Sequence, residues 1–257
     1  MEWRDEGILL TVRRHGESSA IIEVLTHGHG RHAGVVRGGG SRRMAPILQP
    51  GARLALDWQA RLEDHIGTFR VDPKPSNMAL ILSDRAALAA LGSISALVTA
   101  SLPEREAHPQ LYATTLELVE SLAVAQDWPC LYAAWELALL AELGFGLDFS
   151  RCAATGGTED LVWVSPRSGC AVSREGGAPW ADKLLPLPEF LRSGWDAAIP
   201  VSGADLAAAF RLTGHFLEAR LGPSLARERV PAARGRAVDV ILRRHGHSDP
   251  LAEAAEP

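Results

Sequence analysis

Lysine is almost absent from this chain. Of 26 basic side chains only Lys74 and Lys183 are lysines, and all the others are arginines. An arginine bias suits phosphate recognition, because a guanidinium donates two parallel hydrogen bonds where an ammonium offers a point charge. Genome composition produces the same bias. Cysteine is scarce as well: three residues, an odd number, argue against a disulfide framework. No apolar run reaches the roughly 18 residues of a membrane span. The opening Met1-Glu2-Trp3-Arg4-Asp5-Glu6 lacks the basic and then apolar pattern of a secretory signal, which points to a cytoplasmic protein. Signatures of catalysis are missing too. There is no phosphate-binding G-x-x-x-x-G-K-[ST] loop, no G-x-S-x-G elbow and no H-E-x-x-H helix, so the expectation is a protein that is not an enzyme.

What is present is ordinary globular composition, 47% apolar and 22% charged, which excludes a disordered chain. A length of 257 residues fits two domains. The net charge of −5 argues against nucleic acid, but the charge is unevenly spread. Residues 1–75 carry 11 basic and 9 acidic side chains, and the remainder carries 15 and 22. A phosphate backbone is drawn to the first segment and repelled by much of the second.

The first 72 residues read as five short strands: Gly7–Arg14, Ala20–Thr26, His32–Arg37, Ala52–Arg61 and Gly67–Val71. The fourth is the clearest, with Ala52, Leu54, Leu56 and Trp58 alternating with Arg53, Ala55, Asp57 and Gln59. Five strands in this length are the inventory of an OB-fold barrel. Asp72-Pro73-Lys74-Pro75 breaks the pattern and marks a boundary. A helical period follows, with Ser76 as N-cap of a helix to about Ala100. Pro109 and Pro129 are placed at N1 of two more helices, to about Ala125 and Leu143. Residues 147–180 lose that period and contain a hairpin, Leu161–Ser165 with Cys170–Ser173. Helices resume at Pro188–Ser193, at Gly203–Leu221 behind a Ser202 cap, and at 231–245. The expected fold is therefore α+β: an OB-fold over 1–75, a helical domain over 76–146 and 181–246, a hairpin insertion over 147–180, and a disordered tail over 247–257.

Three stretches, "GESSAIIEVLTHGHGRHAGVVRGGGSRR", "LQPGARLALDW" and "AAWELALLAELGFGLDFSRCAATG", taken in order, resemble the RecO family over roughly residues 6–245. That resemblance implies an OB-fold that binds single- and double-stranded DNA, a helical bundle, and a small region that holds zinc in some members. It also implies a mediator of DNA repair and recombination that anneals complementary strands. With RecR, such proteins help RecA displace single-strand-binding protein, whose acidic C-terminal tail is a further partner. The implied setting is cytoplasmic, at the nucleoid during repair.

The residues that would contact DNA are Arg37, Arg42 and Arg43, set around three glycines that let backbone amides approach a phosphate. Arg13, Arg14 and Arg53 are added as neighbouring cations. Aromatics are thin here, Trp3, Trp58 and Phe69 only, so backbone contact with little sequence preference is expected. His27, His29 and His32 are crowded enough to suggest a metal-dependent hydrolase, yet a turn scatters its side chains and no acidic partner lies beside them. The zinc positions are degenerate. Where zinc-bearing members resemble two C-x-x-C pairs, this chain has Cys152 with Thr155 and Cys170 with Ser173. No histidine between His108 and His215 completes a tetrahedron, so no metal or other cofactor is expected. Residues 110–150 contain no Lys or Arg, which leaves the acidic-tail site without a local cation. An OB-fold acting on RNA stays open, because backbone contact alone does not separate the two nucleic acids.

Overall fold

The computed structural model describes residues 1–62, 64–194, 200–226 and 229–246. The expected tail at 247–257 lies outside them. The chain divides into two units, residues 1–124 and 125–257. Among the described residues no helix is long and apolar enough to cross a membrane.

In the first unit five strands close a barrel in the order β1-β2-β3-β5-β4: β1 Glu2–His15, β2 Ser19–Thr26, β3 Gly30–Val36, β4 Arg53–Gln59 and β5 Thr68–Pro73. β1 begins five residues before the expected Gly7: residues 2–6 pair with β4, although four of them are charged and only Trp3 hints at an inward face in the sequence. Its first half pairs with β4 and its second with β2, so it must coil. A bulge between Leu9 and Thr11 allows this, and so does Gly7, where a Cβ would stand 2.8 Å from Leu56 Cδ1. β4 alternates as expected, with Leu54, Leu56 and Trp58 buried. β2 is buried on both faces because α2 and α3 pack against the outside of β1 and β2. β3, β4 and β5 keep an outer face in solvent.

The helices of this unit are α1 Met78–Ser83, α2 Arg85–Ser101 and α3 Pro109–Ser121. The single helix expected from Ser76 is broken at Asp84. That residue is extended, and its carboxylate accepts hydrogen bonds from Ala86 N and Ala87 N at 2.8 and 3.0 Å, an N-cap inside a continuous apolar pattern. Asn77, not Ser76, stands at the start of α1, and it makes no side-chain cap.

One end of the barrel is filled by rings. Trp3 stacks on His29 with centroids 4.1 Å apart, and His32 lies edge-on to Trp58 at 4.8 Å. His32 is 3% exposed, and neither ring nitrogen has a hydrogen-bond partner among the described residues. Burial in this apolar site, with Arg105 and His29 nearby, lowers its pKa to about 4.

The second unit contains α4 Trp128–Glu142, β6 Leu161–Val164, β7 Ala171–Ser173, α5 Arg174–Gly177, β8 Leu185–Pro186, α6 Glu189–Arg192, α7 Gly203–Phe216 and α8 Ala232–Arg244. The expected hairpin gains a third strand, giving the order β7-β6-β8. Pro129 is the second residue of α4, not the first. Ser202 caps α7 in a reciprocal box with Asp205, and from Leu217 the helix widens into a π turn instead of continuing as α to Leu221. α4, α7 and α8 meet at a buried ion pair. Glu136 is 0% exposed, and its two oxygens accept from Arg234 Nε at 2.8 Å and Nη2 at 3.0 Å. Arg234 also donates to Phe210 O, and Thr213 Oγ1 donates to Glu136.

Two predictions follow from these buried groups. The unfolded chain takes up a proton on His32 near pH 6.5 and the folded chain only near pH 4, so stability falls as pH drops through that window. The full loss is about 3 kcal/mol, and His32→Leu should flatten this limb of a melting-temperature profile; an unchanged acid limb would remove His32 as its cause. Arg234→Met leaves the buried Glu136 carboxyl without its partner, and should lower the unfolding free energy by about 3–5 kcal/mol in denaturant titrations. A loss below 1 kcal/mol would show that the pair does not hold the three helices together.

Candidate nucleic-acid interface

Strand register gathers the arginines. Across the barrel Arg13 aligns with Ile21 and Val35, and Arg14 aligns with Ala20 and Val36. Arg37 follows Val36 directly. The loop after it is pinned to the β1–β2 turn by Gly40 N donating to Ser18 O at 2.9 Å. Arg13, Arg14, Arg37, Arg42 and Arg43 therefore share one end of the barrel. All five are exposed, and none of their side chains has a hydrogen bond or ion pair among the described residues. An uncompensated cluster of this kind attracts anions over about one Debye length.

The glycines of the loop have another duty from the one expected. Gly38 adopts φ +72°, and a Cβ on Gly39 would stand 2.9 Å from Ala20 Cβ. The amides of Gly39 and Gly40 donate to Val36 O and Ser18 O. The glycines fold the loop onto the barrel, and the arginine side chains are what remain for a ligand.

Arg53 is placed elsewhere. It pairs across from Ile8 in β4, and its guanidinium is held by Glu120 at 2.7 Å and Glu6 at 3.3 Å. Arg4 binds Asp57, and Arg31 binds Glu23. Lys74 binds Glu6, which with Arg53 holds the Glu6 carboxyl below its ordinary pKa. Arg70 on β5, missed in the sequence, is exposed and unpaired among the described residues like the five at the arginine end. The only signal for it was its outward place in a short strand.

The histidines do not converge. His27 lies edge-on to Tyr112, His29 stacks on Trp3, and His32 is buried in the barrel. His29 does have an acidic neighbour, contrary to expectation: Asp5 Oδ2 is 3.1 Å from its Nδ1 and also accepts from Gly28 N. This contact ties the turn to β1, and no metal-binding group of three or more His, Cys, Asp or Glu occurs among the described residues.

A cavity of about 660 Å³ in the same unit is apolar along Met78, Ile81 and Leu116. Its cation is the already neutralised Arg53, beside Glu117 and Glu120. That charge pattern does not suit an acidic tail.

In the second unit the degenerate zinc positions form a hydrogen-bond knot. Cys152 is 1% exposed, and its Sγ accepts from Ser173 N, Ser173 Oγ and Thr155 N at 3.2–3.4 Å. Burial alone would raise the thiol pKa, but these hydrogen bonds outweigh it and bring it to about 6. Ser173 Oγ also accepts from Gly176 N, and Thr155 Oγ1 accepts from Gly157 N. Both hydroxyls are thus engaged locally, and the residues do not fit a closed four-ligand zinc site. All three cysteines are free. Cys130 is buried, and burial raises its thiol pKa to about 12.

The barrel, with its coiled first strand and short parallel closure between β3 and β5, defines an OB-fold protein with a helical C-terminal part. Comparison with known proteins agrees. Residues 1–73 match the family model described as Recombination protein O N terminal, and residues 82–229 match Recombination protein O C terminal. The chain is 53% identical to the DNA repair protein RecO of a Ruegeria species over 244 residues, covering 95% of this chain and 100% of the relative. The DNA repair protein RecO of Roseobacter denitrificans is 53% identical over 247 residues, with 95% and 100% covered. That of Cereibacter sphaeroides is also 53% identical over 244 residues, with 95% and 99% covered. The chain belongs to the RecO family of DNA repair proteins.

Proposed function

We propose that this protein is a non-catalytic recombination mediator that binds single- and double-stranded DNA through Arg13, Arg14, Arg37, Arg42 and Arg43. It anneals complementary strands and, with RecR, assists RecA loading onto DNA coated by single-strand-binding protein. The observation that carries this is the arginine end of the barrel: five exposed guanidinium groups with no carboxylate partner among the described residues. Arg53 is left out, because its charge is already met by Glu6 and Glu120.

Annealing needs no bond-making. It needs phosphate repulsion reduced while bases stay free to pair. Backbone contact by arginines does this, and the buried Trp58 and Phe69 leave no wide platform that would hold bases in a stack. RecR, the tail of single-strand-binding protein and, indirectly, RecA are the partners this role requires. No metal is part of it: Thr155 and Ser173 are spent on backbone contacts, and Cys152 already accepts three hydrogen bonds.

The test is Arg42→Ala with Arg43→Ala. Stability should change by about 0.5 kcal/mol or less, since both side chains are exposed. DNA affinity should fall, and the slope of log affinity against log salt on single strands should shrink by about 0.7 per lost contact. Binding like the wild type would place the site elsewhere; Arg236 and Arg243 on α8 are exposed, whereas Arg234 is locked to Glu136 and Arg227 lies outside the described residues. For the metal, purified protein should hold well below one zinc ion per chain, and chelators should leave its melting temperature unchanged. One zinc per chain surviving dialysis would contradict the hydrogen-bond knot at Cys152.

A further inference from the structure

The arginine end does not account for a cleft on the solvent face of the barrel. β5 has a strand on each side only at Thr68 and Phe69; over residues 70–73 it pairs with β4 alone. Beside this open edge lies a cleft of about 570 Å³, lined by Arg37, Met44, Asp57, Gln59, Arg70 and Val71 among others. Arg37 belongs to both the arginine end and this cleft. Arg70 sits across from Asp57 in register, but the Asp57 carboxylate is held by Arg4 Nε at 3.1 Å. A second cleft of about 550 Å³ shares Asp57 and Arg70 with the first and is further lined by Arg4, Asp5, Glu6 and Asp72.

We propose that a single nucleic-acid strand passes from the arginine end at Arg37 into the first cleft and ends at Arg70, which is a further phosphate contact specific to single strands. This rests on the DNA-binding role of the arginine end. Charge sets the path. Arg37 and Arg70 stand along the first cleft against one carboxylate, Asp57, which Arg4 already holds. Beyond Arg70 the second cleft sets four carboxylates against Arg4 and Arg70, and this net negative lining turns the strand away there. Met44 and Val71 offer apolar surface for a base, with no hydrogen-bonding pattern that selects one base over another. Size sets the preference. A cleft of about 570 Å³ holds a short stretch of one backbone and is too small to take in a duplex, which is left to the arginine end.

The experiment is fluorescence anisotropy with an oligothymidine and with a hairpin duplex, over a range of salt, using the full chain. The proteins are wild type, Arg70→Ala, Arg70→Lys and the Arg42→Ala/Arg43→Ala pair, each checked by melting temperature. Arg70→Ala should weaken single-strand binding several-fold and make its salt slope shallower by about 0.7. It should leave duplex affinity close to wild type, and Arg70→Lys should keep the slope. Arg42→Ala/Arg43→Ala should weaken both ligands. Suppose Arg70→Ala binds the oligothymidine like wild type, or loses both ligands equally. The cleft is then not the single-strand path, while a weak Arg42→Ala/Arg43→Ala protein still upholds the arginine end. If that double variant binds both ligands like wild type, the arginine end itself is overturned.

Discussion

Closure of the barrel between β3 and β5 rests on two residue pairs, Val35 with Thr68 and Val36 with Phe69. Much else depends on this short parallel contact. It brings the end of β3 against the start of β5, and so fixes where Arg37 and its loop leave the barrel. Because it stops at Phe69, one edge of β5 stays open and the cleft exists. On the opposite side α2 and α3 cover β1 and β2, which is why β2 is buried on both faces. One side of the barrel is thus committed to packing and the other is left for a ligand.

Electrostatics follows the same division. The net charge of −5 misleads, because several acidic side chains of the first unit, Glu6, Glu23, Asp57 and Glu120 among them, are taken up by particular cations. Arg4, Arg31, Arg53 and Lys74 each have a carboxylate. Arg13, Arg14, Arg37, Arg42, Arg43 and Arg70 have none among the described residues. The exposed ones among these pairs, such as Arg4 with Asp57, contribute little stability, about 0–1 kcal/mol each. Their larger effect is to cancel positive charge at those positions, so that the five arginines at one end of the barrel are the largest group of free cations the unit presents among the described residues.

Much of the fold was legible in the sequence. β4 announced itself by strict alternation, the β2–β3 turn by its glycines, and α7 by the Ser202 cap. What was not legible depended on contacts distant in sequence. Residues 2–6 were left out of the first strand because their pairing partner, β4, lies some fifty residues on. Asp84 looked like one more polar residue of a long helix until its carboxylate was seen to cap α2. Glu136 gave no hint of burial, because its partner Arg234 comes from α8. For the site, sequence order alone listed the arginines; only the ion pairs removed Arg53 and only the strand register added Arg70. The glycine loop was recognised for its charge, and its glycines proved to serve the fold.

The central claim is that free guanidinium groups at one end of an OB barrel let this protein bring complementary strands together. The most direct measurement is the rate at which complementary oligonucleotides coated with single-strand-binding protein anneal, with and without RecR. Acceleration by the protein that fades steeply as salt rises, and that RecR modifies, is the predicted result. An annealing rate equal to that without the protein, or an acceleration indifferent to salt, would contradict the account.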